Sequence, residues 1–444
     1  MVIQLPSLYG KFLPRFYQLA VVSVLSNMMV PLAGICDTAF LGHLTDLDKL
    51  AGVILGSILF DYLYRILKFL RNSTNALTAD ASGKEDDSGV ILAGLRCGLV
   101  ALAIALLIFL LQYPIQKLGF ALLAGAPAVE LSGVDYFNAR IWGAPAVLLN
   151  FVLIGWFLGR EMNPVVLAIS LVGNGSNVLL DYLMITRWGW GSAGAGWATA
   201  ISQYLALAVG LVAIASSIQW QLLPKALESL WDKAALKTTL ALKGNVLIRF
   251  IALISAYSLF TNISASFGTE ILAENGLLLQ IALLSQFSVN GIGLTTQTLV
   301  GNFNGKGESS YLLPILKTSI VVSIILALSI GLTCLIFPES VFGLLTNHQE
   351  VSQAMQGSAI WLVPLLVITA IAFMLEGYFI GLKQGAVLRN GALFAFVVGF
   401  IPLAFWAWSR HSNSMLWISL ILYMSVVMVM LVWQVRKHQR SYCS

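Results

Sequence analysis

The chain is a succession of long apolar runs separated by short polar breaks. A helix needs about 20 mostly apolar residues to cross the hydrocarbon core of a bilayer. Twelve runs reach that length, near 15–40, 49–79, 89–113, 128–158, 163–185, 191–216, 244–268, 273–300, 312–336, 357–381, 388–409 and 414–435. Several contain Gly or Pro, which membrane helices tolerate because neighbouring helices satisfy the freed backbone groups. The longest polar connection, 217–243, divides the runs six and six. The pattern predicts an all-α polytopic membrane protein with twelve transmembrane helices in two pseudo-symmetric six-helix bundles. The first bundle is expected over 1–216, a cytoplasmic linker over 217–243, and the second bundle over 244–444 with a short basic tail.

The two halves share sequence. The first has IWGAP at 141–145 and then GWFLG at 155–159. The second has IWLVP at 360–364 and then GYFIG at 377–381. The order is the same, and the spacings differ by three residues. Six spans per half is an even number, so both copies run in the same orientation. Such repeats are related by an axis along the membrane normal. The GxxxG pairs let helices approach closely, and packing alone explains those glycines.

Composition agrees with this reading. Of 444 residues, 58% are hydrophobic and only 10% charged, whereas soluble domains run near 25% charged. The net charge of +5 does not imply a nucleic-acid partner, because the basic residues gather in the connections. Lys225, Lys233, Lys237 and Lys243 fall in the central linker, and Arg436, Lys437 and Arg440 in the tail. The opposite side keeps Lys49, Lys117, Arg187 and Arg410. The positive-inside rule then places both termini in the cytoplasm. Lys11 and Arg15 precede a first apolar run too long for a cleavable leader. Cys36, Cys97, Cys334 and Cys443 form no CxxC pair, so neither a disulfide framework nor a zinc site is expected. The histidines His43, His348, His411 and His438 lie at or beyond span ends, leaving no buried pair for a metal or a general base. GNFNGKGES lacks the glycine spacing of a P-loop and has no Ser or Thr after its lysine. Neither enzymatic chemistry nor ATP-driven transport is expected, and no metal or other cofactor.

Charges inside the spans carry the functional signal, since each costs roughly 2.5–3.5 kcal/mol to insert. Asp37 follows Pro31 in VPLAGICDTAFLGHL, and Asp181 ends GNGSNVLLD. Both fall in the outer part of outward-running helices. Asn177, four residues before Asp181, shares its helix face. Together they can build a polar pocket that loads a proton from outside, or they can mark helix ends at the headgroups. Asp61 and Arg65 are one turn apart on the second span. They read either as an intrahelical ion pair or, with Lys68 and Arg71, as a basic vestibule for anionic substrates or lipid headgroups. Glu376, in FMLEGYFIG, reads either as a second ion site or as a structural acid bonded within its bundle.

Several blocks are familiar in order. PLAGICDTAFLGHL, FLRNSTNALTADASG, APAVLLNFVLIGWFLG, GNGSNVLLDY and GAGWATAISQY resemble the multidrug and toxic compound extrusion (MATE) family, in particular its DinF-like branch. LIRFIAL, LAENGLLLQ and LEGYFIGLK extend the resemblance through the second half. The resemblance implies an antiporter that exports small organic compounds, including drugs, toxic metabolites or organic acids, in exchange for protons or sodium. It implies a polar network on Asp37, Asn150, Asn177, Asp181 and Thr199, and an acid of the second lobe at Glu376. Asn290 and Gln297 stand where DinF-like relatives often carry acids, which shifts coupling toward Asp37 and Asp181 and places protons ahead of sodium. The basic run DYLYRILKFLR departs from the branch and suits organic acids. The expected setting is a multi-pass protein of the plasma membrane, surrounded by lipid and acting as a monomer. A lipid or glycolipid flippase of similar architecture is the alternative.

Overall fold

The computed structural model describes residues 5–42, 47–123, 126–343 and 349–443, and every regular element among them is helical. The first expected span lies in α1 (Leu5–Gly42). Eleven further helices are long and apolar enough to cross a bilayer. These are α2 (Asp48–Gly83), α3 (Asp87–Leu110), α4 (Pro127–Gly159), α5 (Asn163–Arg187), α6 (Gly191–Ser217), α7 (Leu240–Ser266), α8 (Thr269–Gly305), α9 (Ser309–Ile336), α10 (Glu350–Gly381), α11 (Gly385–Arg410) and α12 (Asn413–Gln439). Large apolar side chains such as Leu106, Val212, Ile325, Phe405 and Val429 are exposed along them. A soluble protein rarely shows so much apolar exterior, and here it is the surface that meets lipid.

The chain clusters into two compact units, one of Met1–Ala20 with Leu240–Ser444 and the other of Val21–Thr239. Each unit has the same internal plan. In the Val21–Thr239 unit, α4 is central and packs on α2, α3 and α6, while α5 packs on α6. In the other unit, α10 is central and packs on α8, α9 and α12, while α11 packs on α12.

Glycine makes the closest contacts. A Cβ on Gly155 would strike the Arg71 carbonyl of α2, and one on Gly159 would lie 2.7 Å from Thr78 Cβ. A Cβ on Gly377 would strike the Gly293 carbonyl of α8, and one on Gly381 would lie 2.7 Å from the Gln297 carbonyl. The step along the chain from Arg71 to Gly293 is the same as that from Gly155 to Gly377. The left-handed turns repeat at that interval too. Glu85, Glu161 and Gly189 have positive φ, and the same step leads to Gly307, Lys383 and His411, which have it as well. Each of the three pairs includes at least one non-glycine residue, for which a positive φ is uncommon. Their recurrence shows a structural repeat that the two short sequence matches only suggested.

The spans are less regular than the apolar runs. Helix α2 is irregular at Lys68, between Leu47–Leu67 and Phe69–Gly83, although Lys68 keeps its backbone bonds to Tyr64 and Asn72 at 3.1 and 3.3 Å. A 3-10 turn, Ile141–Gly143, divides α4 just before Pro145, and Ala359–Trp361 does the same in α10 before Pro364. Both prolines fall within the first turn of the next helix, where a missing N–H is harmless. The expected 217–243 linker is itself largely helical. It contains Leu223–Glu228, and its last third opens the helix Lys233–Ser266 that carries α7. Lys243, counted above as a linker charge, is only 3% exposed. Arg96 of α3 donates to the Ser229 carbonyl at 2.5 Å and the Leu230 carbonyl at 3.2 Å, closing the end of the short linker helix. Arg160 likewise caps α6 through Ser217. These loop cations satisfy helix C-termini as well as setting orientation.

Candidate functional site

In the Val21–Thr239 unit, the buried residues of α5 form one stripe: Val166, Ile169, Ser170, Gly173, Asn177 and Asp181. The three- and four-residue spacing puts them on a single helix face, and on it Gly173 and Ile169 lie against Ala206 and Gly210 of α6. Asp181 is fully buried and ends the α-helical part of α5. A π-helical segment, Tyr182–Arg187, follows it directly. A π-segment has an extra residue per turn and often marks a functional position. Asn177 is also buried, and its side-chain N–H2 has no hydrogen-bond partner. The stripe is thus apolar along most of its length and polar at one end, where the helix changes pitch.

Asn150 and Thr199, also expected in the network, bond elsewhere. Asn150 of α4 donates to Gln203 of α6, at 2.9 Å to its carbonyl and 3.1 Å to its side-chain oxygen. Gln203 was not singled out from the sequence, because one amide in a long apolar run has no distinguishing spacing. Thr199 donates its hydroxyl to Ala195 of its own helix at 3.0 Å. Among the described residues, no hydrogen bond joins Asn150, Asn177 and Thr199. Asp37 belongs to α1, but its side chain lies outside the described residues.

The second span corrects one expectation. Asp61 is exposed and Arg65 half-buried, and among the described residues no ion pair joins them. Arg65 is followed by half-buried Lys68 and by Arg71, which is 8% exposed. Arg71 Nη1 donates to Asn27 Oδ1 of α1 at 2.9 Å. Nearer the start of α2, Arg140 of α4 stacks over Phe60 at 4.7 Å and donates to Tyr136 Oη.

In the other unit, Glu376 of α10 has a specific partner. Arg249 of α7 donates Nε–H to Oε1 at 2.7 Å and Nη2–H to Oε2. Both side chains are buried, and the guanidinium lies against Phe250 and Phe373 at 4.7 and 5.3 Å. Of the two readings of Glu376, the structure shows the acid bonded within its own unit. A second polar cluster ties α7, α8 and α12 together. Asn275 donates to Ser264 and Asn413 at 2.8 Å each, and accepts from Trp417 Nε1 at 2.8 Å. Every polar atom of that amide side chain is satisfied, which marks it as structural. Among the described residues, no group of three or more His, Cys, Asp and Glu side chains is placed to hold a metal ion.

Comparison with known proteins places the chain. A protein-family model described as MatE matches it twice, over residues 23–183 and 246–406. The offset between the two matches is close to the interval of the structural repeat. DNA damage-inducible protein F of Escherichia coli (strain K12) is 29% identical over 426 residues, covering 96% of this chain and 92% of the relative. Among solved structures, an outward-facing multidrug resistance MATE family transporter of the MOP superfamily is similar with a TM-score of 0.86 at 17% identity, over 97% of this chain and 96% of the other. A MOP superfamily transporter from Pyrococcus furiosus, whose binding pocket is described as of reverse polarity, has a TM-score of 0.84 at 17% identity over 95% of each chain.

Proposed function

The chain belongs to the MatE family and is a secondary transporter of multi-pass membrane architecture, not an enzyme. From that premise we propose that it exports small organic compounds across the plasma membrane in exchange for protons, by alternating access, with Asp181 as the proton-carrying group.

The observation that carries this reading is the position of Asp181, fully buried at the α-to-π junction of a membrane span. A carboxylate is expensive there, and intramembrane acids are retained where they move an ion or meet a substrate. Protonation removes one charge from the end of the α5 stripe. Proton and substrate then need only prefer different states of one conformational equilibrium for exchange to follow. One charge crossing 100 mV supplies about 2.3 kcal/mol. A tenfold uphill gradient of a neutral substrate costs about 1.4 kcal/mol, so one proton suffices. Asp37, expected at similar depth on α1, shares the proton in this scheme, and Asn150, Asn177 and Thr199 line the polar path beside it.

The other unit supports protons over sodium. The acid that could have held a metal cation there, Glu376, accepts two hydrogen bonds from a guanidinium. A permanent internal cation occupies the place of an exchangeable one. Both termini are assigned to the cytoplasm on the distribution of loop cations, and a monomer is the working unit.

The test is flux into liposomes holding the purified protein, with a proton gradient imposed in sodium-free buffer and a panel of cationic dyes and organic anions as substrates. Gradient-driven movement is expected. Movement that needs sodium overturns the coupling ion. Gradient-independent movement of labelled lipid in place of soluble compounds would make the chain a flippase.

A further inference from the structure

The two units each bury an arginine, and they treat it differently. Arg249 is matched by a carboxylate, Glu376. Arg71, 8% exposed, has a neutral partner, the Asn27 side-chain oxygen at 2.9 Å. Among the described residues, no carboxylate lies within ion-pair distance of it. Its Nε–H is buried with no hydrogen-bond acceptor. An arginine stays charged in a protein at any ordinary pH. A buried charge without a counter-charge is among the costlier features a fold can hold, and an amide oxygen does not neutralise it.

The surroundings share the same deficit. Ser23 is 1% exposed and one helical turn before Asn27, and Asn27 Nδ2 donates to the Ser23 carbonyl at 2.8 Å. The Ser23 hydroxyl has no hydrogen-bond partner, and neither does the hydroxyl of Ser26. On α2, Lys68 lies three residues before Arg71 and so shares its face. The groups left over can all donate: a guanidinium N–H and two hydroxyls. Buried water would satisfy hydroxyls but not the charge. An oxygen-rich anion satisfies both, since carboxylates and phosphates accept several charge-assisted hydrogen bonds at once.

We propose that Arg71, with Ser23 and Asn27 of α1 and Lys68 of α2, forms a receptor for an anionic group, a carboxylate or phosphate, carried by the substrate. The proposal rests on the transport reading above and names the charge class of the cargo. The anion does in this unit what Glu376 does in the other. Asn27 and Arg249 are themselves related by the interval of the repeat, so a counter-charge is built in at one copy and left to a ligand at the other. Two sources offer this chemistry, a soluble organic acid and an anionic lipid headgroup.

The decisive variant is Asn27→Asp, which gives Arg71 an internal carboxylate. Thermal unfolding of the purified protein in neutral detergent is followed by circular dichroism, alone and with carboxyfluorescein, short-chain phosphatidylglycerol or ethidium. In the wild type, an anionic probe is expected to raise the midpoint and ethidium to leave it unchanged. Response to carboxyfluorescein identifies a soluble acid as the source, and response to phosphatidylglycerol alone identifies a headgroup. Asn27→Asp is expected to raise the midpoint of the ligand-free protein and to abolish the anion response. Arg71→Gln is expected to lose the response and Arg71→Lys to keep part of it. An unchanged or lower midpoint in ligand-free Asn27→Asp overturns the proposal whichever probe is used, even if Arg71→Gln fails to fold. So does an anion response that survives in both Asn27→Asp and Arg71→Gln, or stabilisation of the wild type by neither anion. None of these readouts uses a gradient, so failure of proton coupling in liposomes would leave the receptor standing, and the reverse.

Discussion

Arg249 and Glu376 show what a single pair of residues contributes. Removing one member leaves a buried charge alone, which costs roughly 3–5 kcal/mol, whereas replacing both with apolar side chains of similar size is often neutral. Glu376→Gln is therefore expected to lower stability by about that amount, and the double variant Arg249→Met with Glu376→Leu to recover most of it. Unfolding in detergent measures both. A double-variant loss equal to the sum of the Arg249→Met and Glu376→Leu losses would mean that the residues act separately. Glu376 was conspicuous in the sequence as a charge within a span. Its partnership with Arg249 was not, because 127 residues separate them and no local spacing connects them. Asn27 was passed over for the opposite reason: an uncharged amide in an apolar run costs little, and only the fold shows that it holds Arg71.

Helices were the most legible elements, because a run of about 20 apolar residues has few other fates in a chain this poor in charge. What interrupts them was not legible. The irregularity at Lys68, the 3-10 turns before Pro145 and Pro364 and the π-segment after Asp181 are changes of helical pitch, which hydropathy does not record. GxxxG was legible as a close approach, and the structure supplies the partners. Gly159→Ala and Gly381→Ala each push a methyl into the backbone or side chains of α2 and α8. Each is expected to destabilise by about 1–3 kcal/mol, with similar losses because the contacts repeat. A large loss at one position and none at the other would contradict an equivalent role in the two units. Deleting Leu183 should restore α-helical pitch beyond Asp181. Normal insertion with lost exchange is the expected outcome, and retained exchange would remove the π-segment from the mechanism.

At the scale of the whole chain, the sequence pattern placed twelve spans and their division into halves, and the repeated turns confirm the internal repeat. It did not reveal that residues up to Ala20 cluster with the Leu240–Ser444 unit. That attachment is visible as Lys11 Nζ donating to Glu308 at 2.8 Å and Arg15 Nη2 donating to Asn302 Oδ1 at 3.0 Å. The hydrogen bond to Glu308 raises the Lys11 pKa above its ordinary 10.5. A raised cation pKa means that the pair's contribution is fully present below 10.5 and lost only as pH climbs through the higher folded value. The attachment is thus expected to be insensitive to Lys11 titration at physiological pH. Lys11→Glu should speed amide hydrogen exchange in residues 5–20, and adding Glu308→Lys should slow it again. Unchanged exchange in both would show that the apolar contacts of Phe12 and Phe16 hold the segment unaided.

Coupling assigned to Asp181, and not to the buried pair of the other unit, makes the two sites separable by mutation. Proton-gradient-driven flux in sodium-free liposomes, compared between Asp181→Asn and the Arg249→Met, Glu376→Leu double variant, tests that assignment most directly. Asp181→Asn is expected to reduce gradient-driven flux to that of protein-free liposomes, while the double variant still responds to the gradient. A gradient response that survives Asp181→Asn and vanishes in a folded double variant would contradict it.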